Sequence, residues 1–297
     1  MTHFETRSGF VAVVGRPNVG KSTLVNALVG EKVAITSHKP QTTRNTIRGV
    51  VTLEERGAQI VLVDTPGVHR PRTTLGERLN TLVYGSLDEA DLAVFVIDGR
   101  QAVGPGDRMI ADRIHGAGTP VVVAVNKVDI AAKEAILTQL AELASYDFAA
   151  YVPVSALRGD GLDALTDEIV GLLPAGPFFF PTDAISDQPE HFLAAELVRE
   201  KYLARLREEL PHSLAVVVDE METMDNDVLR IAATVYVERE SQKGMVIGKG
   251  GTLIRDVGAA ARVDLERVFA TKVFLDLRVR VEKDWQRRDD MLDRLGF

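Results

Sequence analysis

The chain has 297 residues, enough for roughly two domains at ~150 residues each, and its composition is globular, 45% hydrophobic and 26% charged. It contains no cysteine, which excludes disulfides, Cys-ligated zinc and thiol nucleophiles, and suits a reducing cytosol. A net charge of −8 excludes a generally basic nucleic-acid binder, yet the charge is uneven: residues 182–241 carry fourteen Asp/Glu against six Lys/Arg, while 242–288 carry eleven Lys/Arg against six Asp/Glu.

Residues 1–9 lack the basic-then-apolar layout of a secretory leader. No apolar run exceeds strand length, so a soluble cytoplasmic protein is expected, with peripheral membrane contact left open. Short β-branched runs at 10–14, 60–63, 92–97, 121–125 and 151–154 read as buried strands. Helical patterns at 21–28, 108–115, 132–143 and 162–172 lie between them. That alternation predicts an α/β domain over 1–173, its sheet mostly parallel with helices on both faces. Residues 46–54 alternate more loosely and suit an antiparallel edge strand.

Residues 174–181 hold three prolines, a glycine and three phenylalanines, and read as a linker partly packed on its neighbours. Beyond it the order changes to helix 190–208, strands 213–220 and 228–240, helix 252–269 and strand 272–282, with a terminal helix at 284–295. This α-β-β-α-β order predicts a small α+β domain over 182–297.

The strongest motif follows the first strand. Gly15, Arg16, Pro17, Asn18, Val19, Gly20, Lys21 and Ser22, then Thr23, run from strand into helix, the setting a P-loop requires. Its backbone N–H groups and the helix N-terminus form a positive cradle for phosphates. Lys21 adds a cation on the β/γ-phosphates, and the Ser22 hydroxyl is a hard-oxygen ligand for Mg²⁺. Asp64, Thr65, Pro66 and Gly67 end the 60–63 strand. The carboxylate there can hold Mg²⁺, and the Gly67 N–H can sense the γ-phosphate.

Asn126, Lys127, Val128 and Asp129 decide guanine over adenine. A carboxylate at 129 accepts from both N1–H and the N2 amino group of guanine, whereas adenine would leave it poorly paired. Lys127 can lay its stem on the base or ribose, and Asn126 can brace the loop. Ser155, Ala156 and Leu157 end the last strand, where the Ala156 N–H is expected to meet guanine O6.

In the second domain, Gly248, Lys249, Gly250 and Gly251 form a GxxG loop entering a helix. Glycines admit a close-approaching backbone, and the helix N-terminus with Lys249 attracts phosphates. Ile247, Ile254, Lys243, Arg255 and Arg262 complete a candidate groove for single-stranded RNA. Arg199, Arg205 and Arg207 are expected to be solvated, and the acidic 182–241 stretch to be a solvated helix face.

These motifs resemble those of the translation-factor-related GTPases. The segment Gln41-Thr42-Thr43-Arg44, the run from Asp64 to His69, and the GTPase-then-KH layout resemble the Era family over nearly the whole chain. The resemblance implies a P-loop GTPase domain followed by a type II KH domain, GTP/GDP and Mg²⁺ as ligands, and hydrolysis of GTP. Thr43 is the first-switch Mg²⁺ ligand, with Thr42 the alternative. Where many GTPases place a water-orienting glutamine, this chain has Val68, so the catalytic set reduces to Lys21, Thr43, Gly67 and Asn18, the last as a K⁺ ligand. His69 reads as a loop histidine rather than a base. The family also implies a monomer that binds the small ribosomal subunit at the 3′ end of its 16S RNA during maturation, with peripheral contact to the inner face of the cell membrane. The alternative is a membrane- or protein-targeted switch in which the KH-like domain serves for docking.

Overall fold

The computed structural model describes residues 6–68, 71, 73–207 and 210–297; His69 lies outside the described residues. They form two compact units. The first takes in the chain up to 34, then 43–68 and 78–187; the second takes in 35–42, the stretch before 78, and 188 onward.

The first unit contains β1 (Arg7–Val14), α1 (Lys21–Val29), β2 (Ile47–Leu53), β3 (Ala58–Asp64), α2 (Thr74–Asp88) from Arg78 onward, β4 (Leu92–Asp98), α3 (Pro105–Ala117), β5 (Val121–Asn126), α4 (Lys133–Leu143), β6 (Ala150–Pro153) and α5 (Leu162–Leu172). The sheet order is β2-β3-β1-β4-β5-β6, all parallel except β2. Strand period two explains the unbroken apolar runs. In β1, Val11 and Val13 face a core shared with Leu24 of α1 and Leu165 of α5. Ala12 and Val14 face the opposite core, with Val83 of α2 and Ile110 of α3. A strand buried on both faces has no polar positions to alternate.

The sequence patterns assign no element between the 60–63 and 92–97 strands, where α2 lies. The segment at 174–181 is not a free spacer. Buried Gln59 accepts from the N–H groups of Phe179 (2.8 Å) and Phe180 (3.0 Å) and donates to the Phe180 carbonyl (2.9 Å). The Phe179 ring packs 5.0 Å from Phe10. Residues 185–187 then cover the edge of β2, where Val50 N–H donates to the Ile185 carbonyl and Arg48 pairs with Asp187.

The second unit contains α6 (Glu190–Arg205), β7 (Ala215–Thr223), β8 (Leu229–Val237), α7 (Glu240–Ile247), α8 (Thr252–Val268), β9 (Val273–Val281) and α9 (Asp289–Leu295). The strands are ordered β7-β8-β9, antiparallel then parallel. The expected order thus needs a correction: β8 ends at Val237, short of the expected 240, and α7, absent from that order, stands between it and the GxxG loop. At 8 residues it has too few turns to show a helical apolar period. The terminal helix starts at 289 rather than 284, after a single turn that buries Trp285, whose ring nitrogen donates to the Ser213 carbonyl.

The charges of α6 also depart from expectation. Arg199, Glu196 and Glu200 are buried rather than solvated. Arg199 forks onto Glu196 at 2.6 and 2.7 Å. Lys201 joins Glu200 (2.9 Å) and Asp264. Buried charges persist only when paired in this way. Arg205 remains on the surface, bonded to the Lys201 carbonyl.

Candidate nucleotide and RNA sites

Every nucleotide-site motif sits at the carboxyl end of a parallel strand: the P-loop after β1, Asp64 closing β3, Asn126 closing β5, and Ser155 just beyond β6. This is the end of an open α/β sheet where ligands bind, beside the point at which strand order reverses. Gly20 turns the P-loop into α1 with a φ of +102°, and a β-carbon there would sit 2.3 Å from the Asn126 amide nitrogen. Only glycine fits. Lys21 lies within this cradle, donating to the Gly15 and Arg16 carbonyls at 3.1 and 3.0 Å. Burial pushes its ammonium down to about 8, against the attraction of Asp64. Anionic phosphates beside it would favour the charged form further.

Ser22, Thr43 and Asp64 converge. The Ser22 hydroxyl donates to Asp64 Oδ2 at 2.6 Å and lies 2.9 Å from the Thr43 hydroxyl, itself 3.4 Å from the same oxygen. Burial raises the Asp64 carboxyl to about 6, even though the Ser22 hydrogen bond and the Lys21 charge oppose it. Its Oδ1 is buried without a hydrogen-bond partner in the structure. An orphaned carboxylate oxygen beside two hydroxyls is a hard donor set, and it fits Mg²⁺. Thr42 points elsewhere, its hydroxyl donating to the Lys39 carbonyl at 2.7 Å. Thr65 ties β3 to β1 through the Val13 carbonyl at 2.8 Å, and Gly67 approaches Pro17 so closely that a β-carbon would lie 2.8 Å from its Cα. Val68 is buried in the core beside Val14 and Val83, so it directs no polar group at water. Pro17, exposed Asn18 and Thr23 stay on the P-loop and first turn of α1. The Arg16 side chain turns away, bonded to Asp107 (2.9 Å) and Gln101 (3.2 Å), so its P-loop contribution is backbone.

At the base end, Asn126 is the brace. Its amide donates to the Val19 carbonyl (2.9 Å), and its Oδ1 accepts from the N–H groups of Lys127 (2.8 Å) and Ala156 (3.0 Å). The Ala156 N–H, expected to meet guanine O6, donates instead to Asn126 Oδ1 in this structure. Asp129 is buried, accepting from Ser155 Oγ at 2.8 Å, with Arg158 3.7 Å from its other oxygen. Leu157 is exposed beside it. Sequence reasoning missed Asp98, which ends β4. Burial opposes its charge, yet hydrogen bonds from Arg100 and Lys127 hold it well below the usual carboxylate range. Lys127 Nζ spans Asp98 (2.8 Å) and the Asn18 carbonyl (2.6 Å), fixing its stem across the base site. An acidic residue at a strand end was the available signal.

In the second unit, Gly248, Gly250 and Gly251 all have positive φ, and Arg255 folds back to donate to the Gly250 and Gly251 carbonyls, each at 3.1 Å. Lys249 is exposed in that loop. A groove of about 390 Å³ runs between α8 and β9, lined by Ile254, Arg255 and Arg262 on one side and by Val273, Phe274 and Leu277 on the other. Lys243 and Ile247 lie on α7 and do not line it. Phe274 went unnoticed in the sequence because it merges with its apolar neighbours.

Two family descriptions match the chain: a 50S ribosome-binding GTPase over residues 10–127 and a KH domain over 209–286. Among its relatives, GTPase Era of Mycobacterium sp. (strain JLS) is 54% identical over 300 residues, covering 99% of each chain. GTPase Era of Mycolicibacterium smegmatis is 52% identical over 304 residues, covering both chains fully. Of solved structures, Era with MgGDPNP and nucleotides 1506–1542 of 16S ribosomal RNA superposes with a TM-score of 0.94 at 39% identity, covering 98% of this chain and 99% of that one. An Aquifex aeolicus Era variant bound to GDP·AlF4⁻ gives 0.93 at 40% identity, with the same coverage. P-loop, base-reading and GxxG geometry in one chain, matched over its full length, place this protein in the Era family of GTPases.

Proposed function

We propose that this GTPase is a switch in which the nucleotide state governs how its KH domain binds single-stranded RNA, the RNA being the 3′ region of 16S ribosomal RNA during small-subunit maturation. One observation carries the coupling. Residues 35–42, which lead straight into Thr43, are packed within the second unit. Ile35 belongs to its core, Glu200 accepts the Thr36 N–H at 3.0 Å, and Arg199 donates to the Thr42 carbonyl. Thr43 in turn meets Ser22 and Asp64. A change at Thr43 on loss of the γ-phosphate is therefore passed to a segment that α6 holds by its backbone. Coupling of this kind is reciprocal in binding free energy, so RNA would favour the GTP-bound arrangement.

Within the site, Lys21 and the P-loop N–H groups hold the β/γ-phosphates, Asp129 reads the base, and Ser22, Thr43 and Asp64 hold the ion. Mg²⁺ bound there neutralises charge building on the phosphate oxygens. With Val68 in place of a water-directing amide, Asn18 is the proposed ligand of a K⁺ ion, which would supply positive charge near the phosphates. Turnover in K⁺ should exceed that in Na⁺ by about tenfold, ~1.4 kcal/mol of barrier. Asn18→Gly should erase the difference without unfolding the loop, since glycine takes the observed φ of +64° freely. Equal rates in the two salts would remove K⁺ from the scheme.

The chain is proposed to act as a monomer in the cytoplasm on the small subunit. Peripheral membrane contact is carried only by family membership; among the described residues, no helix is long and apolar enough to cross a membrane. The deciding experiment is GTP turnover with an oligonucleotide from the 3′ end of 16S RNA against a scrambled one. Stimulation by the first alone is expected; equal rates despite measured RNA binding would sink the coupling. Arg199→Lys keeps charge against Glu196 but cannot also reach the Thr42 carbonyl, so stimulation should fall while GTP and RNA binding persist separately. Alanine is the poorer probe, since stranding Glu196 in the interior would cost roughly 3–5 kcal/mol.

A further inference from the structure

We propose that the Phe274 ring is a stacking platform for one unpaired base at the outer lip of the groove between α8 and β9. It would thus be a determinant of how the KH domain selects single-stranded RNA. The inference rests on reading that groove as an RNA site.

The argument starts from strand period. In β9 the side chains of Val273, Leu275, Leu277, Val279 and Val281 all enter the core of the second unit. The intervening positions are Asp276, Arg278 and Arg280, the polar residues that alternation calls for on the other face. Phe274 breaks that pattern. It is 56% exposed, and it is the one exposed Phe, Tyr or Trp among the described residues of this unit. A solvated phenyl ring contributes little to the fold, because hydrophobic stabilisation scales with area removed from water. β9 is also the edge of its sheet, so nothing in the three-stranded pairing covers it.

The surroundings favour a nucleobase over another apolar partner. The same groove carries Arg255 and the exposed Arg262, and it opens beside the Gly248–Gly251 loop with Lys249. A polyanion running past that loop would bring its bases over the apolar strip between α8 and β9. An apolar peptide would gain nothing from the cations. A phenyl face accepts any base, since every base has a π-face, and such stacking is a recurrent source of single-strand affinity. Phe274 has no polar tip, so it contributes stacking without hydrogen-bond readout. It would position the base while hydrogen bonds elsewhere read it.

The test uses the full chain and a fluorescent oligonucleotide from the 3′ end of 16S RNA, together with a set carrying one abasic site at each successive position. Phe274→Ala should weaken binding roughly tenfold to a hundredfold. Phe274→Tyr should retain affinity, whereas Phe274→Leu, apolar but without a π-face, should lose nearly as much as alanine. One abasic position should hurt the unaltered protein and leave Phe274→Ala indifferent. The salt dependence should not change, because no phosphate contact is removed. The ring is largely exposed, so its replacement leaves the core of this unit intact, and the circular dichroism spectrum and thermal melt of each variant check that the KH domain is folded. Alanine and leucine variants that bind within twofold of the unaltered chain would overturn the platform while leaving the RNA groove standing. So would identical abasic profiles with and without the ring. Failure of the unaltered chain to bind any of the oligonucleotides would overturn the groove reading, and the platform with it.

Discussion

Asp129→Asn is expected to lower GTP and GDP affinity by about a hundredfold to ten-thousandfold and to make the protein prefer xanthine nucleotides. On the proposed base assignment the carboxylate would accept two hydrogen bonds from guanine, each charge-assisted and worth roughly 1.5–3 kcal/mol, and ~1.4 kcal/mol is tenfold in affinity. An asparagine presents one acceptor and one donor, so one guanine donor then faces an N–H. Xanthine has a carbonyl where guanine has the N2 amino group, and it accepts from that N–H. The substitution should leave the loop in place. Ser155 Oγ can donate to the amide oxygen as it does to Asp129 Oδ1, and the lost partner at the other oxygen is an exposed Arg158 at 3.7 Å. Titration with labelled GDP and XDP measures both affinities. Unchanged GTP binding would refute the base assignment. Loss of both nucleotides would point to a collapsed loop.

Lys249→Asp with Gly250→Asp is expected to reduce RNA binding more than about a hundredfold at low salt and to flatten its salt dependence, while GTP binding is unaffected. The pair replaces one cation with two anions in the loop where α8 presents its N-terminal N–H groups. The fold should tolerate it. Gly250 has a φ of +60°, a conformation that Asp enters more readily than most residues, and a β-carbon there meets nothing within 4 Å. Gly251 and Gly248 are the wrong places for such a test. Gly251 caps α8 with positive φ, and a β-carbon at Gly248 would press to 2.8 Å on Leu253. RNA binding retained by a folded double variant would move the site away from the GxxG loop. Loss of GTP binding as well would indicate misfolding.

Much of this was legible in the residues. Runs such as 92–97 show both faces of the sheet buried because every position is apolar. Glycine, lysine and serine at P-loop spacing have few other uses between a strand and a helix. The expectation for Asp129 rests on guanine recognition needing a carboxylate in the loop that follows a strand, here the loop after β5. What stayed hidden was of two kinds. Elements such as α7 were too short to show a period. The α2 helix lies in a stretch to which the apolar runs assign no element.

Other features depend on residues far apart in the chain meeting in space. Arg199 reads in sequence as one more surface charge on an acidic helix. Only the fold buries it between Glu196 and the carbonyl of Thr42, 157 residues away. Asp98 looks like a strand-ending acid until Arg100 and Lys127 close around it. Phe274 looks like part of an apolar strand until the pleat turns its neighbours inward and leaves it at the lip of a groove. Local order along the chain therefore determined the P-loop and the Asn126–Asp129 loop, because each is built from a few consecutive residues. Tertiary structure decided which charges are buried, which threonine meets Ser22 and Asp64 and which ring is left exposed, because each of those is set by what packs against it from elsewhere in the chain.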